Sequence, residues 1–302
     1  MRRRRRIVLI LILLALAAGA YTFWSMGNAN FWESSIRKFE AQDRIHPPHQ
    51  NAILFVGSSS INFWHTLSAD MAPLDVINRG FGGSQLAHVN YYATRIVLPY
   101  HPRAIVLYAG DNDLSWPWSK SPQTVLDDFK QFVTLVHASL PDTWIYYVSM
   151  KPSPTRWSHW PTEHHANQMI EDYARTQDHV QFIDITPVML DAHGKVRRDL
   201  FRWDGLHMNP RGYALWTAII KPILLQRFPV QPSDVGNTAS RIILECGPIA
   251  SLSTKSGPPP TNAPNGTCLP RVVTASARAN KTSQPISFSS NLPRATWSCL
   301  SP

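Results

Sequence analysis

The chain has 302 residues, more than one average domain needs, and a formal charge of +9. Five of its 29 basic residues are Arg2 to Arg6 and six more follow residue 231, so residues 7–231 keep 18, against 18 of the 20 acidic residues. The middle of the protein is neutral, which argues against a basic groove, and no nucleic-acid partner is expected.

In chain order, "MRRRRR" comes first, followed by "IVLILILLALAAGAYTFW", and no charge follows Arg6 until Glu33. A basic stretch ahead of an apolar run is an export signal whose arginines stay inside. "AGA" would permit cleavage after Ala20. The apolar run, residues 7–24, also has the length of a membrane anchor and ends in Tyr21, Phe23 and Trp24, which suit an interface. We place an uncleaved anchor ahead of a removed signal. Either way the bulk of the chain, membrane-anchored or secreted, lies outside the cytoplasm.

Short apolar runs then alternate with longer amphipathic ones. "AILFV" (52–56), "DVIN" (75–78), "AIVLYA" (104–109), "WIYYVS" (144–149) and "VQFIDI" (180–185) read as strands, several of them apolar on both faces, as in a parallel sheet. Residues 84–98, 122–139, 162–177 and 210–227 have helical spacing, with Pro122 and Pro210 where first-turn prolines belong. Alternating β and α predicts an α/β fold with a helix-covered parallel sheet of about five strands. This assigns residues 27–231 to one domain. Residues 232–302, rich in Pro, Ser, Thr and Asn, read as a disordered tail. The tail holds all three cysteines (Cys246, Cys268, Cys299), and an odd count does not suit a disulfide framework.

Ligands on open parallel sheets sit at the carboxyl ends of the strands, so the segments there carry the functional question. After the first strand comes "GSSSI" (57–61), where a serine at a strand-to-helix turn suits nucleophilic work, or simply caps the helix. After the second comes "NRGFGGSQ" (78–85), whose glycines could present a bare N–H or form a flexible turn. After the third comes "AGDNDLSW", with Asn112 between two aspartates; it offers a side-chain amide, though such residues also make turns. Last comes "DGLH" (204–207), a carboxylate three residues before an imidazole, ahead of an Asn-Pro helix start. A Ser, a Gly, an Asn and an Asp-x-x-His, each at a strand end or in the final loop, weigh more together than singly.

In that conjunction the chain resembles the SGNH, or GDSL-type, serine hydrolases over roughly residues 51–228. The resemblance implies a flavodoxin-like α/β/α sandwich. It implies Ser59 in "FVGSSSI" as nucleophile, His207 as base and Asp204 as its orienting carboxylate. The oxyanion would be met by the backbone N–H groups of Ser59 and Gly83 (in "NRGFGGS") and by the side chain of Asn112 (in "AGDNDL"). No metal and no organic cofactor is required. Two positions depart from the family pattern: Ser58 replaces an Asp, and Asp111 replaces a Gly, so a substrate is not carried over from the lipase members.

His159, His164 and His165 come without a cysteine or a matching ligand pattern, and no metal is assigned to them. Trp64, Trp116, Trp118, Trp157, Trp160 and Trp203 flank the motifs and either line an acyl or sugar pocket or pack the core. Bulky loops at the strand ends predict short acyl esters. The expected activity is an exported ester hydrolase. The alternatives are an O-acyl transferase or deacetylase on envelope polysaccharide, and a non-catalytic binding module of the same fold.

Overall fold

The apolar runs form a five-stranded sheet: β1 (Ile53–Gly57), β2 (Val76–Gly80), β3 (Ala104–Tyr108), β4 (Trp144–Val148) and β5 (Val180–Ile183). All pairings are parallel, in the order β2-β1-β3-β4-β5. The computed structural model describes residues 2–115 and 117–229. Trp116 and the tail with its three cysteines lie outside the described residues.

Alternation along each strand explains why the runs look continuously apolar. Leu54 and Val56 join one buried cluster with Ile105 and Leu107, while Ile53 and Phe55 join a second with Val106 and Tyr108. A sheet covered on both faces needs hydrophobic residues at odd and even positions alike. The first cluster takes side chains from α5 (Leu86–Ile96), α6 (Pro122–Ser139) and α7 (Trp160–Ala174); the second takes them from α3 (Ser59–Asn62), α4 (Leu67–Met71), α8 (Thr186–Met189) and α9 (Pro210–Arg227). The result is a three-layer α/β/α sandwich, as expected.

Helix starts follow their prolines. α6 begins at Pro122 behind Ser121, whose Oγ accepts the Thr124 N–H, and α9 begins at Pro210 behind Asn209, whose Oδ1 accepts the N–H groups of Arg211 and Gly212. Trp64, one of the tryptophans set against a pocket role, is a core residue stacked on Tyr213.

Two elements precede the sheet. α1 (Arg2–Ser25) is apolar and exposed on every side from Ile7 to Leu16, with a stretch, Arg4–Thr22, long enough to cross a membrane. α2 (Glu33–Ile45) was not evident in the sequence, because it buries little: Ile36 is its one fully buried side chain. Ion pairs hold it instead. Arg95 on α5 bonds Glu33 and Glu40, and Arg79 on β2 bonds Asp43.

The segment between α1 and α2 is clipped onto the domain by His88. Its Nδ1 accepts the N–H groups of Trp32 (Nε1, 3.2 Å) and Gln85 (backbone, 3.1 Å), so the ring proton sits on Nε2 and is donated to the carbonyl of Gly27 at 3.1 Å. Burial holds this imidazole below its ordinary pKa, against the pull of the Gly27 carbonyl, and keeps it in this neutral form.

Candidate active site

The strand order reverses between β1 and β3, the place where open sheets leave a crevice at their carboxyl ends. β1 ends there in Gly57 at φ +134°, and a Cβ on Gly57 would stand 1.9 Å from the carbonyl oxygen of Tyr108 on β3. Only glycine fits that approach and that angle. The turn it permits delivers three serines to the head of α3. Ser58 (0% exposed) and Ser60 (1%) are buried, whereas Ser59 between them is partly exposed. Among the three, Ser59 alone is left partly accessible.

The segment after β2 lies alongside. A Cβ on Gly82 would meet Ser59 Cβ at 3.7 Å, so Gly82 is the glycine whose open flank faces the serine, a contact the motif spacing did not reveal. Gly83, at φ +79°, turns its flank the other way, toward Met26 and Trp32. Ser84 then accepts the Nδ2–H of Asn112 on its carbonyl at 2.9 Å, joining the turn after β2 to the turn after β3.

Asp204 and His207 meet as a pair in the loop before α9. His207 Nδ1 lies 2.7 Å from Asp204 Oδ2, while Asp204 Oδ1 accepts the backbone N–H groups of Leu206 and His207 at 2.9 Å each. Burial alone would raise this carboxyl; the hydrogen bonds from the His207 ring and the two backbone N–H groups outweigh it and bring the pKa down to about 2. Asp204 is therefore ionised at every working pH. The loop reaches α3 through Phe63, one turn beyond Ser59, whose ring stands edge-on to the His207 imidazole with centroids 4.8 Å apart. Among the described residues neither Ser59 Oγ nor His207 Nε2 has a hydrogen-bond partner, so no direct bond joins the two.

A fifth loop, "KPSPTR" (151–156) after β4, was absent from the site expected on motifs. Thr155 bonds the carbonyls of Asp204 (through Oγ1) and Gly205 (through N–H). Arg156 Nη2 donates to Asn112 Oδ1 at 2.7 Å, and Nη1 lies 3.1 Å from Asp111 Oδ2. Buried Lys151 donates to the Tyr108 hydroxyl at 3.1 Å and stands 3.6 Å from the same Asp111 oxygen. Burial would raise the Asp111 carboxyl, but the Lys151 and Arg156 charges prevail and lower it. Asp113 turns the other way: it accepts the Leu86 N–H at the start of α5 and pairs with Lys120 at 2.9 Å. The two aspartates beside Asn112 are thus paired with different cations.

Glu163 on α7 is buried beside this cluster, and neither of its carboxyl oxygens has a hydrogen-bond partner. Burial first, and then the Asp111 charge, push its pKa from the ordinary 4.5 to about 8. A carboxyl raised on folding lets the folded state hold a proton that the unfolded chain has released, so stability falls as pH rises from about 4.5 to about 8. Glu163→Gln removes that loss. Its melting temperature should equal wild type near pH 4.5, exceed it by a growing margin up to about pH 8, and beyond that hold a constant margin of roughly ten degrees, at about 2–4 °C per kcal/mol. Thermal unfolding at pH 5, 7 and 9 checks this; parallel curves for the two proteins would contradict it.

A cavity of about 940 Å³ opens between the end of α1 and the loop after Asn112, lined by Tyr21, Phe31, Pro117 and Trp118 among others. Trp157 is exposed, and Trp203, next to Asp204, is 96% exposed.

The sequence profile of the GDSL-like Lipase/Acylhydrolase family matches residues 54–215. No curated protein matches the chain. Solved structures with the same fold include a Streptococcus pneumonia protein described in connection with platelet activating factor (21% identity, TM-score 0.59, covering 70% of this chain and 99% of that one). A GDSL-like lipase from Bacteroides thetaiotaomicron is similar at 17% identity and TM-score 0.54, covering 67% of this chain and 99% of that one. The lipase/acylhydrolase from Enterococcus faecalis follows at 17% identity and TM-score 0.50, covering 58% and 96%. With that profile matching residues 54–215 on a five-stranded parallel sheet, the chain belongs to the GDSL-like lipase/acylhydrolase family and is a hydrolase acting on ester bonds.

Proposed function

We propose that the chain is an exported serine esterase, held to the membrane by α1, with residues 27–231 as its hydrolase domain. Ser59 Oγ attacks the acyl carbonyl while His207 Nε2 takes its proton; the imidazolium then protonates the leaving alcohol, and water repeats the cycle on the acyl-enzyme. Asp204 fixes the tautomer of His207 and stabilises its cation. The backbone N–H groups of Ser59 and Gly83 and the side chain of Asn112 receive the charge on the carbonyl oxygen. No metal or organic cofactor takes part.

The observation that carries this reading is the position of Ser59. It is the one partly exposed serine of three, at the head of a helix whose next turn touches His207 through Phe63. The substrate class is tested with p-nitrophenyl esters from C2 to C16 and the full chain in detergent. A maximum of kcat/KM at C2 to C4, with graded losses of about 10–200-fold at longer chains, is expected. A maximum at C10 or beyond would overturn short-acyl preference in favour of lipid esters.

A second reading draws on Trp203, whose exposed indole beside Asp204 offers a flat face to a sugar ring. It makes the substrate an acetylated envelope polysaccharide. Ser59-dependent release of acetate from such a glycan, faster than from p-nitrophenyl acetate, would favour it.

A further inference from the structure

Asn112 can serve an oxyanion only if its carboxamide presents the nitrogen and not the oxygen. The two ends of an amide are alike in shape and opposite in chemistry, and a flipped carboxamide would repel the charge it should receive. What decides the orientation is the character of its neighbours. A guanidinium carries donors only, so the atom facing Arg156 at 2.7 Å must be the oxygen. A backbone carbonyl only accepts, so the atom facing Ser84 at 2.9 Å must be the nitrogen. The two contacts agree, and they leave the second N–H of Nδ2 unused by the described residues.

We infer that Arg156 is the positioning residue of the oxyanion donor: anchored by Asp111, its guanidinium holds the Asn112 carboxamide with the nitrogen facing the crevice and polarises that amide as a donor. Arg156 comes from the loop after β4, some forty residues from Asn112, and is largely buried where it pairs with the Asp111 charge and bonds Asn112. Asp111, the residue standing where the family pattern has glycine, is what holds it. Tyr108 donates to Asp111 Oδ2 at 3.1 Å and Lys151 lies 3.6 Å from the same oxygen, so the carboxylate is held by two further groups while Arg156 spans it and the amide. A charged donor on Oδ1 draws electron density from the amide and strengthens its N–H as a donor. A lysine could supply the charge but not the planar fork that reaches both partners at once.

This inference rests on the proposed role of Asn112, and the test separates the two. Asn112→Ala, Arg156→Ala, Arg156→Lys and the double Asn112→Ala/Arg156→Ala variant are compared by kcat and KM on p-nitrophenyl acetate and by the rate of Ser59 phosphonylation with a fluorophosphonate, which needs the same oxyanion donors. Asn112→Ala should lose about 10²–10³ in kcat, Arg156→Ala about 10–100-fold with KM near wild type, and Arg156→Lys an intermediate amount. In the Asn112→Ala background, removing Arg156 should cost less than about threefold further, because the residue acts through the amide. Wild-type rates for Asn112→Ala, with Ser59→Ala inactive, would overturn the role of Asn112 itself. A normal Asn112 effect with an unchanged Arg156→Ala rate, with equal Arg156 losses in both backgrounds, or with a change in KM alone would overturn the role of Arg156. Should the alanine variant unfold, Arg156→Lys, which keeps the charge beside Asp111, decides by the same measures.

Discussion

Ser59→Ala is expected to lower kcat by about 10⁴–10⁶ and to end labelling by a fluorophosphonate probe. The expectation follows from the proposed role of Ser59, which is partly exposed after the Gly57 turn while Ser58 and Ser60 on either side are buried. Neither neighbour can substitute, since burial leaves their hydroxyls without access to an acyl carbonyl. His207→Ala should lose about as much, and the double variant little more, because nucleophile and base act as one unit. Labelling that persists in Ser59→Ala, or maps to Ser58 or Ser60, would remove Ser59 from the chemistry.

Asp204→Asn should cost about 10⁴ in kcat while leaving the fold and KM near wild type. Two backbone N–H groups, from Leu206 and His207, point at Oδ1, and only an oxygen can accept them. The asparagine must therefore keep its oxygen there and turn its NH2 toward His207 Nδ1. Nδ1 becomes an acceptor, the ring proton moves to Nε2, and the nitrogen that takes the serine proton in the proposed mechanism has no lone pair left. Because the Asp204 carboxyl titrates near pH 2, the wild-type rate should show no inflection from it above pH 4. A variant with activity within tenfold of wild type would show that Asp204 does not orient the base.

What could be read in advance depended on how local the signal was. α6 and α9 were legible to the residue, because each combines a capping side chain, a first-turn proline and an apolar stripe. α2 was not: its single fully buried side chain leaves no stripe, and the arginines that hold it, Arg79 and Arg95, lie 30 or more positions away. The same contrast runs through the candidate site. Ser59, Asn112 and the Asp204–His207 pair stand in short motifs at strand ends. Arg156 and Lys151 stand in a Pro- and Ser-rich loop, and their meaning depends on a buried carboxylate at Asp111, which only the fold brings near. One clue was present. Asp111 in place of glycine could be seen, but its burial, and with it the need for a cation, could not.

The His88 clip has a consequence for where the enzyme can work. α1 ends at Ser25, and by Gly27 the backbone is already bonded to the domain, with Met26 against Gly83. Under the proposed anchored topology almost no slack remains between bilayer and catalyst, since an extended residue spans only about 3.5 Å. The domain is a stand rather than a kite on a string. A domain of this size is roughly 40 Å across, so its reach is a shallow zone against the outer face of the membrane, entered by lateral diffusion. Esters farther out in the envelope would have to come to it, and cleavage after Ala20 would turn a surface-bound enzyme into a roaming one.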